Sequence, residues 1–355
     1  MAPGRKPKVS SRTTANQVAG KVANIAQKSP ESVALPTEVQ QMVLDTFRRA
    51  FHPDGGYDVK AAIQQVKGHL FLRDFAAAFA KQEYLEAYAL RWSASRALGY
   101  SDIFLHGDLQ EVWLGGATSN TTSHEPSTPS ATTVACIGGG GGAEVAACAV
   151  AARLYSLSKV VVHAIDIADW SSCLTQLENA MSTPPQLSAY ASERAKVANK
   201  PLIMLDHFEV RFSQRDILSV DEKALRDMLG GVGICTMMFT LNELFTTSIS
   251  RTTRFLLALT DVMQVGSWLL VVDSPGSYSE VKLGQGQDTR TKQYPMKWLL
   301  DHTLLEAAGG ENSKWKKYVS DDSRWFRLSP SLKYPIELEN MRYQIHLYQR
   351  IAEVS

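Results

Sequence analysis

The chain has 355 residues, 45% hydrophobic and 21% charged, which excludes wholesale disorder, a collagen-like repeat and a coiled-coil rod. No run of about 18 uncharged apolar residues occurs, so no membrane-spanning helix is expected. The basic N-terminus lacks the apolar run of a secretory signal. Four cysteines (Cys136, Cys148, Cys173, Cys235) stand far apart with no C-x-x-C. That spacing argues against a zinc module or a disulfide framework, fits a reducing compartment, and leaves no metal expected.

The net charge of +1 is unevenly spread. Residues 1–30 hold Arg5, Lys6, Lys8, Arg12, Lys21 and Lys28 and no acid, leaving −5 for the rest. A basic arm on a mildly acidic body predicts contact with a polyanion or a nuclear address.

In chain order, residues 1–30 read as a disordered basic arm. Residues 31–114 read as a helical region. Val39, Met42, Val43, Thr46, Phe47 and Ala50 recur at three- and four-residue intervals, and further helices are expected at 58–66, 69–80 and 83–97. Residues 115–132 read as a flexible insertion. The segment 118–133 is three-quarters Ser, Thr or Pro, a composition that resists packing. Residues 133–355 then alternate short apolar runs with helical segments. Strands are expected at 133–138, 159–165, 207–213, 233–239 and 267–273. Helices are expected at 143–155, 169–180, 221–229, 242–262 and 294–307. This alternation predicts an α/β fold with a mostly parallel sheet. Two last strands, near 325–328 and 343–350 with a short link, read as an antiparallel pair at its edge.

The run Val134–Glu144 carries an apolar strand into five glycines and then a helix. Glycines there let a ligand approach the main chain, and the helix start offers unpaired N–H groups. Gly138, Gly139, Gly140 and Gly142 are therefore candidate cofactor-binding residues. The strand 160–165 ends in Asp166, 24 residues after Gly142, where an acid accepts bonds from ribose hydroxyls. Asp169 reads as a second acid of that site or as a helix cap. Asp216, after the third strand, is a candidate for the adenine amine. A nicotinamide dinucleotide and S-adenosylmethionine both use such a turn and acid. The terminal antiparallel pair and the acid after the third strand, which suits adenine readout, favour S-adenosylmethionine on a class I methyltransferase (Rossmann-like) seven-stranded sheet.

The blocks YALRWSASRAL (88–98), CIGGGGGAE (136–144), DIADWS (166–171), FTLNELFTTS (239–248), VVDSPGSYSEV (271–281), YPMKWLLDHTLL (294–305) and YPIELENMRYQIHLYQR (334–350) resemble the fungal large-subunit (25S) rRNA uridine-N3 methyltransferases. The resemblance spans about 35–350. It implies S-adenosylmethionine-dependent methylation of a uridine imide nitrogen. It places the methionine end of the cofactor on Gly138, Gly140 and Gly142 and its ribose on Asp166. It implies rRNA or a pre-ribosomal particle as partner, in the nucleus and nucleolus with the cytoplasm as a second compartment.

Attack by N3 needs a proton acceptor near the imide. Acceptors are expected after the fourth and fifth strands, where open α/β folds bind ligands. Asp273, Glu243 and Asn242 are the candidate catalytic residues. Ser274, Ser277, Tyr278 and Arg91 are candidates for holding substrate. Two other classes stay open: a non-catalytic ribosome-assembly adapter on the same fold, and an NAD-dependent oxidoreductase.

Overall fold

The structure is a computed structural model and describes residues 31–51, 56–115, 131–283, 290–307 and 313–352. The basic arm and residues 116–130 of the Ser/Thr/Pro-rich stretch lie outside them.

The N-terminal region is helical. Helix α1 (Thr37–Phe51) buries Val39, Val43, Leu44, Phe47 and Phe51, the face its periodicity predicts. Helix α2 (Val59–Phe71) starts where the Asp58 carboxylate accepts the N–H groups of Lys60 and Ala61. The helix expected at 69–80 is broken. Arg73 takes a left-handed φ of 57°, and a short α3 (Phe75–Ala78) restarts on an Asp74 cap. Helix α4 (Gln82–Tyr88) continues through a π-helical turn (Ala89–Ser93) into α5 (Ala94–Leu105), and α6 (Gln110–Leu114) follows.

The α/β part then runs β1 (Thr132–Ile137), α7 (Ala143–Leu154), β2 (Val160–Asp166), α8 (Ser171–Ser182), α9 (Glu193–Ala198), β3 (Phe208–Gln214), α10 (Glu222–Leu229) and β4 (Ile234–Met238). It continues with α11 (Leu241–Thr247), α12 (Ile249–Val262), β5 (Trp268–Asp273), β6 (Tyr278–Leu283), β7 (Arg290–Pro295), α13 (Met296–Asp301), β8 (Trp315–Phe326) and β9 (Met341–Arg350). Thr132 and Thr133, read as the end of the insertion, already belong to β1. The expected helix 242–262 is two helices, because Ser248 leaves helical geometry and its hydroxyl caps α12 by accepting the Arg251 N–H.

Seven strands form one sheet in the order β3-β2-β1-β4-β5-β9-β8. The first five are parallel, and β9 pairs antiparallel with both β5 and β8. The order reverses between β1 and β4, the switch point where ligands bind at the carboxyl ends of strands. β8 begins ten residues earlier than its aromatic end suggested, and residues 327–340 link it to β9. The β6–β7 hairpin was not expected.

Alternate residues of the central strands feed two cores. Val134 and Cys136 join the cluster built by α1, α5, α7 and α8, while Ala135 and Ile137 join the one built by α10 and α12. The N-terminal helices thus share a core with the sheet. α7 lies between α5 and the sheet, with ten of its twelve residues buried. All four cysteines are free and buried. No described helix is long and apolar enough to cross a membrane.

Candidate active site

The glycine turn leaves β1 at the switch point. The Gly138 N–H donates to the Ile165 carbonyl at 2.8 Å, and Gly138 and Gly142 both take φ of 78°, a backbone other residues adopt at a cost. A Cβ on Gly138 would meet Thr240 Oγ1 at 2.3 Å, so the turn lies against the end of β4. Gly140 and Gly139 are equally confined. A Cβ on Gly140 would reach the Trp170 ring at 2.0 Å, and one on Gly139 would reach Cys136 at 2.5 Å. Helix α7 starts at once, with no side-chain cap, so its first N–H groups face the turn.

Asp166 ends β2 beside the turn. Its Oδ2 accepts the Gly140 N–H at 3.1 Å and its Oδ1 the Ala168 N–H at 3.1 Å. Burial raises its pKa, opposed by those backbone bonds. Asp169 accepts the N–H and the hydroxyl of Ser171, the first residue of α8, whose N-cap position is Trp170. Asp216 stands after β3, but its oxygens are engaged within the protein. Oδ1 accepts the Leu218 N–H, and Oδ2 accepts Ser219 Oγ and Arg251 Nη2. Burial pushes its pKa up, yet these donors hold it below the ordinary value.

The acceptor side gathers where β4 and β5 end. Phe239 has a left-handed φ of 59°, a strained conformation for an aromatic residue, pinned by donation of its N–H to Val272 at 2.7 Å. Asp273 Oδ2 accepts the Asn242 N–H at 3.0 Å and Oδ1 the Ser274 N–H at 2.8 Å. Burial pushes its carboxyl up to about 6. Asn242 Oδ1 is buried and receives no hydrogen bond among the described residues. Ser277 Oγ donates to the Ser274 carbonyl at 2.7 Å. That carbonyl also accepts Gln344 Nε2, and Gln344 bonds His346, which in turn bonds Ser320. Burial pushes His346 down to about 4, so this chain from β8 to the Ser274 turn is neutral near pH 7.

Not all candidates converge. Glu243 lies near enough for its charge to help raise Asp273, but it is partly exposed and paired with Arg73 of the α2–α3 turn. Arg91 bonds Glu339 at 2.5 Å and lies over Trp92, which holds the chain before β9 rather than an open surface. Tyr278 begins β6, and its side chain lies outside the described residues. Sequence reasoning gave no role to two residues that the fold brings near the turn, Tyr88 and Arg96. Tyr88 and Ser93 face Gly141. Arg96 donates to the Tyr88 hydroxyl at 2.7 Å and lies over the Phe239 ring. Glu144, also missed, is buried beneath the turn, accepts the Thr236 hydroxyl at 2.7 Å and is pushed up to about 8 by burial. Arg96 and Glu144 lay inside the quoted sequence blocks, but spacing alone gave neither a role.

A cleft of about 580 Å³, lined by Arg153, Lys200, Pro201 and His207, opens at the amino ends of β2 and β3. It faces away from the switch point and takes no part in the site. Among the described residues no cluster could hold a metal.

A glycine turn on an uncapped helix start, a strand-end acid and a seven-stranded sheet with an antiparallel last pair define a class I methyltransferase site. The chain belongs to the family described as "Putative SAM-dependent methyltransferase", which it matches over residues 46–349. Its cofactor is S-adenosylmethionine. The residues fit it: backbone N–H groups and a cation suit the carboxylate end, and Asp166 suits the diol. The chain is 29% identical to the 25S rRNA (uridine(2843)-N(3))-methyltransferase of Saccharomyces cerevisiae (strain ATCC 204508 / S288c), covering 90% of this chain and 86% of that one. Among solved structures it is similar to an O-methyltransferase family protein from Burkholderia thailandensis (TM-score 0.40, 11% identity, 82% of this chain and 72% of that one). A SAM-dependent methyltransferase from Methanosarcina mazei gives a TM-score of 0.34 at 13% identity, covering 62% of this chain and 93% of that one.

Proposed function

We propose that the protein methylates N3 of a uridine in large-subunit rRNA, acting on rRNA or a pre-ribosomal particle. The observation that carries this is the similarity to the yeast uridine-N3 methyltransferase along nine-tenths of the chain. An intact glycine turn with Asp166 beside it speaks for catalysis and against an adapter on a dead pocket.

The bound cofactor supplies an activated methyl group, so the protein's share of catalysis is alignment and proton management. The imide nitrogen attacks as its proton leaves. Asn242, whose buried Oδ1 has no donor among the described residues, is assigned to orient the uracil edge. Asp273 holds Asn242 by the backbone and, raised to about 6, is a stronger base than an ordinary carboxylate, so we assign it the imide proton. Glu243, paired with Arg73 at the rim, is given no proton-transfer role. Ser274 and Ser277 set the turn that carries Asp273. The basic arm at residues 1–30 supports a nuclear and nucleolar location, with the cytoplasm as a second compartment.

The test is mass spectrometry of large-subunit rRNA nucleosides from a deletion strain. One 3-methyluridine should vanish, return with the wild-type gene, and stay absent with Asp166→Ala. Rescue of the modification by Asp166→Ala, or an unchanged nucleoside profile, would overturn the reading.

A further inference from the structure

Arg96 is a cation in an unusual position. It stands in the first turn of α5, mostly buried, under a bracket of aromatic rings. Its guanidinium carbon lies 5.0 Å from the Phe239 ring centre and 6.0 Å from that of Tyr88, and Tyr100 stacks on Phe239 behind it. The one side-chain hydrogen bond it makes among the described residues is to the Tyr88 hydroxyl. It lies in the field of Glu144 and Asp273, yet no described carboxylate reaches ion-pair distance. Other arginines of the fold have such partners: Arg91 has Glu339, Arg324 has Asp108 and Asp321, and Arg251 has Asp216.

Removing a guanidinium from water without an anion is costly, and guanidinium prefers a planar two-oxygen partner. The place suggests which one. Tyr88, whose hydroxyl holds Arg96, has its ring edge 3.2 Å from where a Cβ of Gly141 would stand, and Ser93 Oγ is 2.9 Å from the same point. Gly141 is the last residue but one before α7, whose first N–H groups have no side-chain cap. Backbone donors on one side and a guanidinium on the other describe a pocket for a carboxylate. Phe239 closes the side toward β4, and Asp166 lies past Gly140 on the side of β2.

We propose that Arg96, oriented by the Tyr88 hydroxyl, receives the carboxylate of the cofactor's methionine, and so fixes the amino-acid end of S-adenosylmethionine at Gly141. The inference rests on the cofactor and not on which nucleoside is methylated. The helical N-terminal region thereby supplies one wall of the cofactor site.

The test compares two probes by calorimetry, S-adenosylhomocysteine and 5′-methylthioadenosine, which keeps the nucleoside and thioether but lacks the amino-acid end. Arg96→Met should weaken S-adenosylhomocysteine about tenfold to hundredfold, as expected for losing a charge-assisted pair, and change 5′-methylthioadenosine less than about threefold. Tyr88→Phe, which removes only the orienting hydroxyl, should weaken S-adenosylhomocysteine by a smaller factor and spare 5′-methylthioadenosine. It decides the matter alone if Arg96→Met does not fold. Equal losses for both probes would mean that the residue merely shapes the pocket, and would overturn the proposal. Unchanged S-adenosylhomocysteine affinity with slowed methylation would overturn it too, by moving Arg96 to the acceptor.

Discussion

Asp273, the last residue of β5, accepts the backbone N–H of Asn242, the second residue of α11, at 3.0 Å. One carboxylate thus ties the ends of β4 and β5 together at the edge where donor and acceptor meet. Asp273 has two duties in this reading: it braces the loop, and, raised to about 6, it is basic enough to accept a proton.

These duties separate in Asp273→Asn. One of two buried backbone donors then faces an amide NH₂. An unsatisfied buried group costs roughly 1–3 kcal/mol, which lowers the melting temperature by about 1–4 °C in a protein of this size. If Asp273 is also the base, wild-type single-turnover rates should rise with pH through about 6, where the carboxyl ionises. The variant should lose that limb and at least about 10²-fold in rate. A variant that keeps the limb shows a brace and nothing more.

Glu243→Gln should change the rate less than about threefold. Its carboxylate is engaged at the surface by Arg73, and exposed pairs of this kind contribute roughly 0–1 kcal/mol. Single-turnover kinetics check this, and a loss of two orders of magnitude would restore Glu243 as the base.

Glu144 sets a pH dependence of stability. Its folded-state pKa is raised from 4.5 to about 8, because burial disfavours the charged form and the Thr236 hydroxyl and Arg96 only partly offset it. Its contribution is therefore complete below its ordinary value and is lost as pH rises through about 8. Glu144→Gln keeps an oxygen for Thr236 and carries no charge. Thermal melts should show the variant gaining on wild type between pH 5 and pH 9. A constant difference across that range would contradict the assignment.

Asp166→Ala should weaken S-adenosylhomocysteine about tenfold to hundredfold by removing a charge-assisted acceptor. The same change frees the N–H groups of Gly140 and Ala168, so calorimetry should be read beside a melting curve. Gly140→Val is the poorer probe. Its side chain would strike Trp170 before any ligand, and it should lower thermal stability in the absence of cofactor.

Deleting residues 1–30 should leave S-adenosylhomocysteine affinity unchanged and flatten the dependence of RNA affinity on salt. Each Lys or Arg contact to phosphate releases counterions, and the deletion removes six such residues. Binding titrations at several salt concentrations read this directly, and equal slopes would mean that the arm makes no contact with RNA.

The parallel strands and the glycine turn were legible because each signal is local. Apolar runs such as Val160–Ile165 are buried on both faces, and the five glycines sit between strand and helix. β8 hid most of its length because an edge strand keeps one face in water, so Lys316, Lys317, Asp321 and Asp322 interrupt the apolar pattern. The β6–β7 hairpin hid for a similar reason, its strands being short and largely polar. In the site, Gly138 and Asp166 could be chosen from spacing, because both follow directly from strand ends. Arg96 could not. It reads as an ordinary helical residue until the fold brings it to the Tyr88 hydroxyl and the Phe239 ring. Asp216 and Arg91 show the converse, residues of suitable chemistry whose partners, Arg251 and Glu339, come from distant parts of the chain.

Helix α7 is lined by small side chains, Ala146, Ala147, Cys148, Ala149, Ala151 and Ala152 among them, and it is covered by α5 on one side and the sheet on the other. Such close packing leaves no room for the helix to slide or tilt without opening voids. Its amide protons should therefore exchange with solvent only through opening of the whole domain. The backbone donors at the glycine turn are thus mounted on a tightly packed helix. The rim across from it is built otherwise, for the α2–α3 turn exposes Phe71 and Leu72 beside the Arg73–Glu243 pair. A packed helix thus meets one side of the site and an exposed turn the other.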